Sequence, residues 1–179
     1  MEEAELKYPK EREKIKKLND LRKLDCKIRG HFLVQTINIE WLIADILTAH
    51  FASFKDKHNQ LFSYVIQPEI WLKKKIELFK KILDTYYPEL SKKYPDLISN
   101  LEDINNFRNR IAHSNLDYTD DFINKNYTDR VQYIYYKDGG LKKQMIKKDE
   151  FHKKLVICSQ TIKQLLQIQY NVRKTNLKD

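Results

Sequence analysis

Residues 97–114 read LISNLEDINNFRNRIAHS, and this stretch decides how the chain is read. Leu97 and Ile98 form an adjacent apolar pair, and Leu101, Ile104 and Phe107 follow at intervals of three. Such steps place side chains on one face of an α-helix. An amphipathic helix is therefore expected, ending in Arg108-Asn109-Arg110-Ile111-Ala112-His113. A helix turns about 100° per residue, so Asn109 and His113 share a face while Arg108 points about 140° away from His113.

Helical periodicity extends outward in both directions. From Pro9, the residues Ile15, Leu18, Leu21 and Leu24 recur every third position. A second stretch, Ile28 to Phe51, carries Phe32, Leu33, Ile37, Trp41, Leu42, Ile46 and Leu47. Gly30 weakens the join, so one long helix with an irregularity near 25–30, or two helices in tandem, is expected. Residues 53–67 read as a loop around a partly buried Leu61-Phe62-Ser63-Tyr64-Val65-Ile66 segment. Pro68 suits the first turn of a helix bearing Ile70, Trp71, Ile76, Phe79, Ile82 and Leu83, which should end near Tyr87-Pro88. A polar connection containing Pro95 leads to residue 97.

Beyond His113 the character changes. Residues 114–129 are rich in Asn, Asp and Thr and read as a loop. Val131-Gln132-Tyr133-Ile134-Tyr135-Tyr136 is β-branched and aromatic, Asp138-Gly139-Gly140 signals a turn, and Leu141 to Lys147 can return as a partner strand. Asp149 suits an N-cap for a final helix over about 149–173, with Phe151, Leu155, Val156, Ile162, Leu165, Leu166 and Ile168 on its apolar face. Only three glycines and four prolines in 179 residues favour long helices over a many-stranded sheet. The expectation is a mainly α fold: an up-and-down bundle of four to five helices with one β-hairpin, about 130–147, before the last helix. Residues 1–179 are expected to form a single domain.

The formal net charge of +9 suits a polyanionic partner such as nucleic acid. The lysines are scattered, so a solvated basic surface is the other reading. Cys26 and Cys158 are far apart in helical patterns and are expected as free thiols. The acidic start, Met1-Glu2-Glu3-Ala4-Glu5, lacks the apolar stretch of a signal peptide. Runs such as Trp41-Leu42-Ile43-Ala44 are too short to span a bilayer. A soluble cytoplasmic protein with no membrane partner is expected.

The hexapeptide gathers a cation, an amide and an imidazole. Phosphodiester transesterification needs a general base, a general acid and charge stabilisation on the phosphorane. An imidazole titrates near neutrality and suits either proton-transfer role. Two copies of the helix facing each other would supply two His113 side chains and bring each Arg108 beside the partner's imidazole. One His113 would deprotonate the ribose 2′-OH, the other would protonate the leaving 5′ oxygen, and Asn109 would orient a phosphate or side chain. The competing reading is a helix C-terminus at which cations are favoured by the dipole.

Ile104-Asn105-Asn106-Phe107-Arg108-Asn109-Arg110-Ile111-Ala112-His113-Ser114 resembles the signature of HEPN (higher eukaryotes and prokaryotes nucleotide-binding) domains. Arg-Asn-x-x-Ala-His is a common form of it. The layout of helices around the motif is similar over most of the chain, but only the hexapeptide is specific. The resemblance implies a metal-independent endoribonuclease with a composite site at a homodimer interface, with Arg108, Asn109 and His113 at the matching positions. It also implies a role in toxin–antitoxin or anti-phage systems, with an antitoxin or defence-system partner. Other HEPN domains bind nucleotide, RNA or partner proteins without cleaving. Some HEPN toxins carry a modifiable Tyr two residues after the His; here that position is Asn115, a departure from the pattern.

Weaker candidates surround the motif. Arg110 could touch phosphate or be a solvated helix residue. Glu40, among apolar neighbours, could brace Arg108 or form a structural ion pair. Tyr118 and Tyr127 could stack on bases or pack beneath the loop. His31, His50, His58 and His152 show no metal-ligand spacing, and the cysteines complete no zinc pattern. No P-loop or dinucleotide fingerprint is present. No cofactor and no metal are expected.

Overall fold

A computed structural model describes residues 9–52, 55–125 and 127–176. The acidic Met1–Glu5 stretch lies outside the described residues. The fold is mainly α with a β-hairpin before the last helix. In order, the elements are α1 (Pro9–Phe51), α2 (Lys55–Leu61), a π-helical turn (Phe62–Ile66), α3 (Gln67–Glu69), α4 (Leu72–Tyr86), α5 (Pro88–Lys93) and α6 (Leu97–His113). They continue with β1 (Asn115–Leu116), α7 (Asp120–Ile123), β2 (Arg130–Lys137), β3 (Gly140–Lys147) and α8 (Lys148–Asn176). Two compact units divide the chain, one of Met1–Phe32 with Asn109–Lys153, the other of Leu33–Arg108 with Lys154–Asp179.

α1 is a single helix with no break at Gly30. A Cβ at Gly30 would meet nothing within 4 Å, so the position faces open space and the helix runs through it. The large apolar side chains buried along α1 are Leu21, Ile28, Phe32, Ile39, Ile43, Ile46 and Leu47, with Thr36, Ala44, Thr48 and Ala49 buried beside them. Ile15, Ile37 and Trp41, expected on the core face, are more than half exposed. The second half of α1 is apolar on several faces, so periodicity alone does not choose the buried one. Its best 18-residue window has mean hydropathy 1.3 and passes, by length and composition, for a membrane-crossing helix, although half of that window is buried in the fold.

The second unit shows how its helical legs run. Asp45 meets His58 and Trp41 meets Phe62, so residues 55–66 run back against α1. Glu40 meets Lys75 and His50 meets Tyr87, so α4 runs parallel to α1. The expected loop over 53–67 is thus corrected within the described residues: 55–66 forms a helical leg. Its β-branched and aromatic core reads as irregular because only Ile66 of the π turn is buried, which leaves no apolar period to detect. The start of α4 is also corrected. Ile70 and Trp71 are extended, and the helix begins at Leu72. Trp71 is 83% exposed rather than on the core face.

Lys75 is the notable side chain of this unit, fully buried within a lysine-rich stretch. Its ammonium donates to Glu40 Oε1 at 2.7 Å and to the backbone and side-chain oxygens of Gln67 at 3.3 and 3.2 Å. Three acceptors match the three donors of an ammonium, which is what keeps a buried charge tolerable. α8 closes this unit. Asp45 accepts from Gln169 at 2.7 Å and from Arg173 at 2.7 and 2.8 Å. Near the start of α8, Lys154 pairs with Asp103 and lies over the Phe107 ring.

The first unit is built on a three-stranded antiparallel sheet in the order β1-β2-β3. Asp138 and Gly139 both have positive φ, 53° and 75°, and Lys137 pairs with Gly140 across them. That is the two-residue type I′ hairpin loop, whose twist matches the strands and whose backbone favours Asp-Gly. One sheet face buries Leu116, Val131, Tyr133 and Ile146; the other carries Ile134, Tyr136, Leu141, Lys143 and Lys147. The polar stretch 114–129 contains β1 and the short α7 rather than loop alone. α8 begins at Lys148, with Asp149 and Glu150 in its first turn instead of Asp149 as the cap, and it runs to Asn176 rather than ending near 173.

Candidate active site

The expected amphipathic helix is α6, with Leu97, Leu101, Ile104, Phe107 and Ile111 buried. This stripe fixes the helix rotation. Arg108, Asn109 and Arg110 are half-buried, and Ala112 and His113 reach solvent. Arg108 is the last residue of one unit and Asn109 the first of the other. Asn109 and His113 therefore share a unit, one helical turn apart, with a rise of about 6 Å between them.

A helix C-terminus leaves carbonyls without intrahelical donors. Here they are covered in two ways. The Ser114 hydroxyl bends back to the Arg110 carbonyl. Arg29, from α1, places its guanidinium on the end of the helix, donating to the Ile111 carbonyl and, at 2.9 Å, to the Ser114 carbonyl. A cation there also suits the negative end of the helix dipole.

Arg29 is itself held. Its Nε donates to Asp25 Oδ1 at 2.8 Å, and the Tyr133 hydroxyl donates to the same oxygen at 2.6 Å. The guanidinium stacks over the Tyr133 ring, 4.7 Å from its centroid. Burial first, and then the hydrogen bond to Asp25, raise the Tyr133 pKa, so the phenol stays protonated. Sequence reading missed Asp25, Arg29 and Tyr133. Asp25 and Arg29 are four apart on one helix, but nothing in the sequence signals their link to a strand 108 residues from Asp25.

The sheet is joined to the motif on two sides. Arg110 donates to Gln144 Oε1 of β3 at 3.1 Å, so one face of this candidate is engaged with the hairpin. β1 starts two residues after His113 and pairs Asn115 with Ile134 and Leu116 with Tyr133. Buried Asp117 follows, accepting from Gln132 at 2.6 Å, from Lys143 at 3.0 Å and from the Thr119 amide at 2.9 Å. Burial pushes its pKa up, but the bonds from Thr119, Lys143 and Gln132 outweigh it and bring the carboxyl down to about 2.

The weaker candidates have defined surroundings. Glu40, half-buried, makes the ion pair with the buried Lys75. Tyr118 is exposed with Arg22 over its ring at 5.4 Å, and Tyr127 packs against Phe122 and Arg130. Cys158 is buried, which pushes its thiol up to about 12, and Cys26 is exposed; both are free. Among the described residues, no three His, Cys, Asp or Glu side chains gather as a metal site. Two cavities stand out, about 270 Å³ beside Leu21, Leu24 and Tyr127 and about 660 Å³ beside Trp41, Asp45 and Phe62, and neither is lined by Arg108, Asn109 or His113.

Compared with known proteins, the chain matches no family model, no curated protein and no solved structure.

Proposed function

We propose that this chain is a HEPN-type, metal-independent endoribonuclease that works as a homodimer in the cytoplasm, as a toxin or anti-phage effector. The observation that carries the reading is His113 exposed at the end of α6, one turn after Asn109, on a helix whose end is held by Arg29. An imidazole on open surface suits a site that a second copy completes.

In the proposed reaction, one His113 accepts the proton of a ribose 2′-OH, and that oxygen bonds to the adjacent phosphorus. The phosphorus–5′-oxygen bond breaks as His113 of the partner subunit gives its proton to the leaving oxygen. The products are a 2′,3′-cyclic phosphate and a 5′-hydroxyl. Arg108 offsets charge on the equatorial oxygens, and Asn109 orients the phosphate. The required 2′-OH restricts the reaction to RNA.

The second reading is a non-catalytic HEPN module that binds nucleotide, RNA or a partner protein. It draws on the half-buried Arg108 and Arg110, which could anchor a phosphate without turnover. His113→Ala separates the two. A ribonuclease loses turnover and keeps its RNA affinity. A binding module shows no turnover in the unaltered chain.

A further inference from the structure

We infer that the turn end of the β-hairpin is the docking platform for single-stranded RNA, which it leads to His113; the inference rests on the ribonuclease reading above. Charge comes first. Residues 130–148 hold Arg130, Lys137, Lys142, Lys143, Lys147 and Lys148 against the single carboxylate Asp138, six cations less one anion, or +5 of the chain's +9. Five of the chain's 27 lysines lie in this stretch, with one carboxylate to balance them.

The sheet has two unlike faces. Cross-strand partners share a face, so Tyr133/Gln144 and Val131/Ile146 lie inward, and Ile134/Lys143, Tyr136/Leu141 and Arg130/Lys147 lie outward. On the outward face Tyr136 and Leu141 stand opposite each other, 74% and 70% exposed. An exposed aromatic beside an aliphatic side chain offers a base a stacking surface. Arg130 is already paired with Asp129, and Lys143 with Asp117. Beside the turn, Lys137 pairs with Gly140 and Lys142 with Tyr135, one step from Tyr136/Leu141 and on the other face; both are exposed, and their long side chains supply the cations at this end of the hairpin.

Register supplies the direction. β1 is antiparallel to β2, with Asn115 beside Ile134 and Leu116 beside Tyr133. The chain just before Asn115 therefore lies toward the Tyr135–Tyr136 end of β2, where the hairpin turns. His113 is two residues before Asn115, so it sits at the same end of the sheet as the Tyr136/Leu141 pair. A strand stacked on Tyr136 is thereby led toward the end of the sheet where His113 lies. Arg110, bonded to Gln144, fixes the hairpin against the motif helix.

The test uses the full chain carrying His113→Ala, which removes the proposed cleavage, and a labelled single-stranded oligoribonucleotide titrated at several salt concentrations. Tyr136→Ala should weaken binding about tenfold, in the range known for base–aromatic stacking. Lys137→Gln and Lys142→Gln should each lower the slope of log affinity against log salt by about 0.7. Lys163→Gln, on α8, is the control and should leave the slope alone. All these positions are exposed, and circular dichroism verifies the fold of each variant. RNA binding that ignores the hairpin substitutions overturns the proposal. So does failure to bind RNA, or hairpin-dependent binding to anionic vesicles or an acidic protein in its place. Cleavage by the unaltered chain is scored separately, so the ribonuclease reading can stand or fall without the platform.

Discussion

The guanidinium of Arg29 lies on the carbonyl of Ser114 at 2.9 Å, and this bond ties α1 to the end of the helix that carries His113. His113 directly precedes Ser114, so whatever holds that carbonyl also sets where the imidazole begins. The Asp25 carboxylate and the Tyr133 ring leave the guanidinium little freedom.

Arg29→Ala should therefore lower kcat for RNA cleavage on the order of 10- to 100-fold while KM changes little, since displacing a catalytic group by about an ångström has that effect. Arg29→Lys should not restore it, because a lysine cannot reproduce the planar fork that reaches two carbonyls and a carboxylate together. The pH profile should keep its shape, as no proton-transfer group is removed. Equal recovery by Lys would show that only the charge matters.

Tyr133→Phe removes one hydroxyl from the same cluster. It should cost about 1 kcal/mol of stability, the usual net value of a single hydrogen bond. Combined with Asp25→Asn in a double-mutant cycle under urea, the two losses should fall well short of additive, because both act on one bond. Additive losses would mean that the 2.6 Å contact carries no coupling.

Lys75 and Glu40 offer a second cycle, in the other unit. Lys75→Ala leaves the Glu40 carboxylate without its ammonium and should destabilise by about 3–5 kcal/mol. Replacing both, as Lys75→Met with Glu40→Leu, should return stability to within about 1 kcal/mol of the original, since the buried ammonium and its half-buried carboxylate are removed together. Chemical denaturation of the three proteins checks this. A double variant as unstable as the single one would show that the pair is needed for more than mutual neutralisation.

Asp117 gives the chain an acid-sensitive joint. Its carboxyl sits at about 2 in the fold, against an ordinary 3.8. A depressed value means that the stabilisation is fully present above the ordinary value and is lost as pH falls through about 2. By linkage it amounts to about 2 kcal/mol at neutral pH. Asp117→Asn should be less stable at neutral pH and show a flatter stability profile between about pH 4 and pH 2. Parallel profiles for the two proteins would contradict the bonding from Lys143, Gln132 and Thr119.

What the sequence made legible follows from how local each signal is. α6 was readable because its apolar steps are regular from Leu97 to Phe107, and the hairpin because Asp138-Gly139 suits a turn with two positive φ angles. The buried face of α1 was not readable, since Ile37 and Trp41 are as apolar as Ile39 and Ile43. The helical leg over 55–66 was missed because its apolar residues mostly face outward. Lys75 hid in a run of lysines, although its spacing to Phe79 and Ile82 puts it on the apolar stripe of α4. Of the candidate site, the motif was visible and its support was not: Asp25, Arg29 and Tyr133 meet only through the tertiary fold.

The measurement that tests the central claim most directly is cleavage of single-stranded RNA by the purified chain with EDTA present, alongside His113→Ala. The account predicts cleavage by the unaltered chain alone, with 2′,3′-cyclic phosphate and 5′-hydroxyl ends. Absence of cleavage by either protein, or equal cleavage by both, would contradict it.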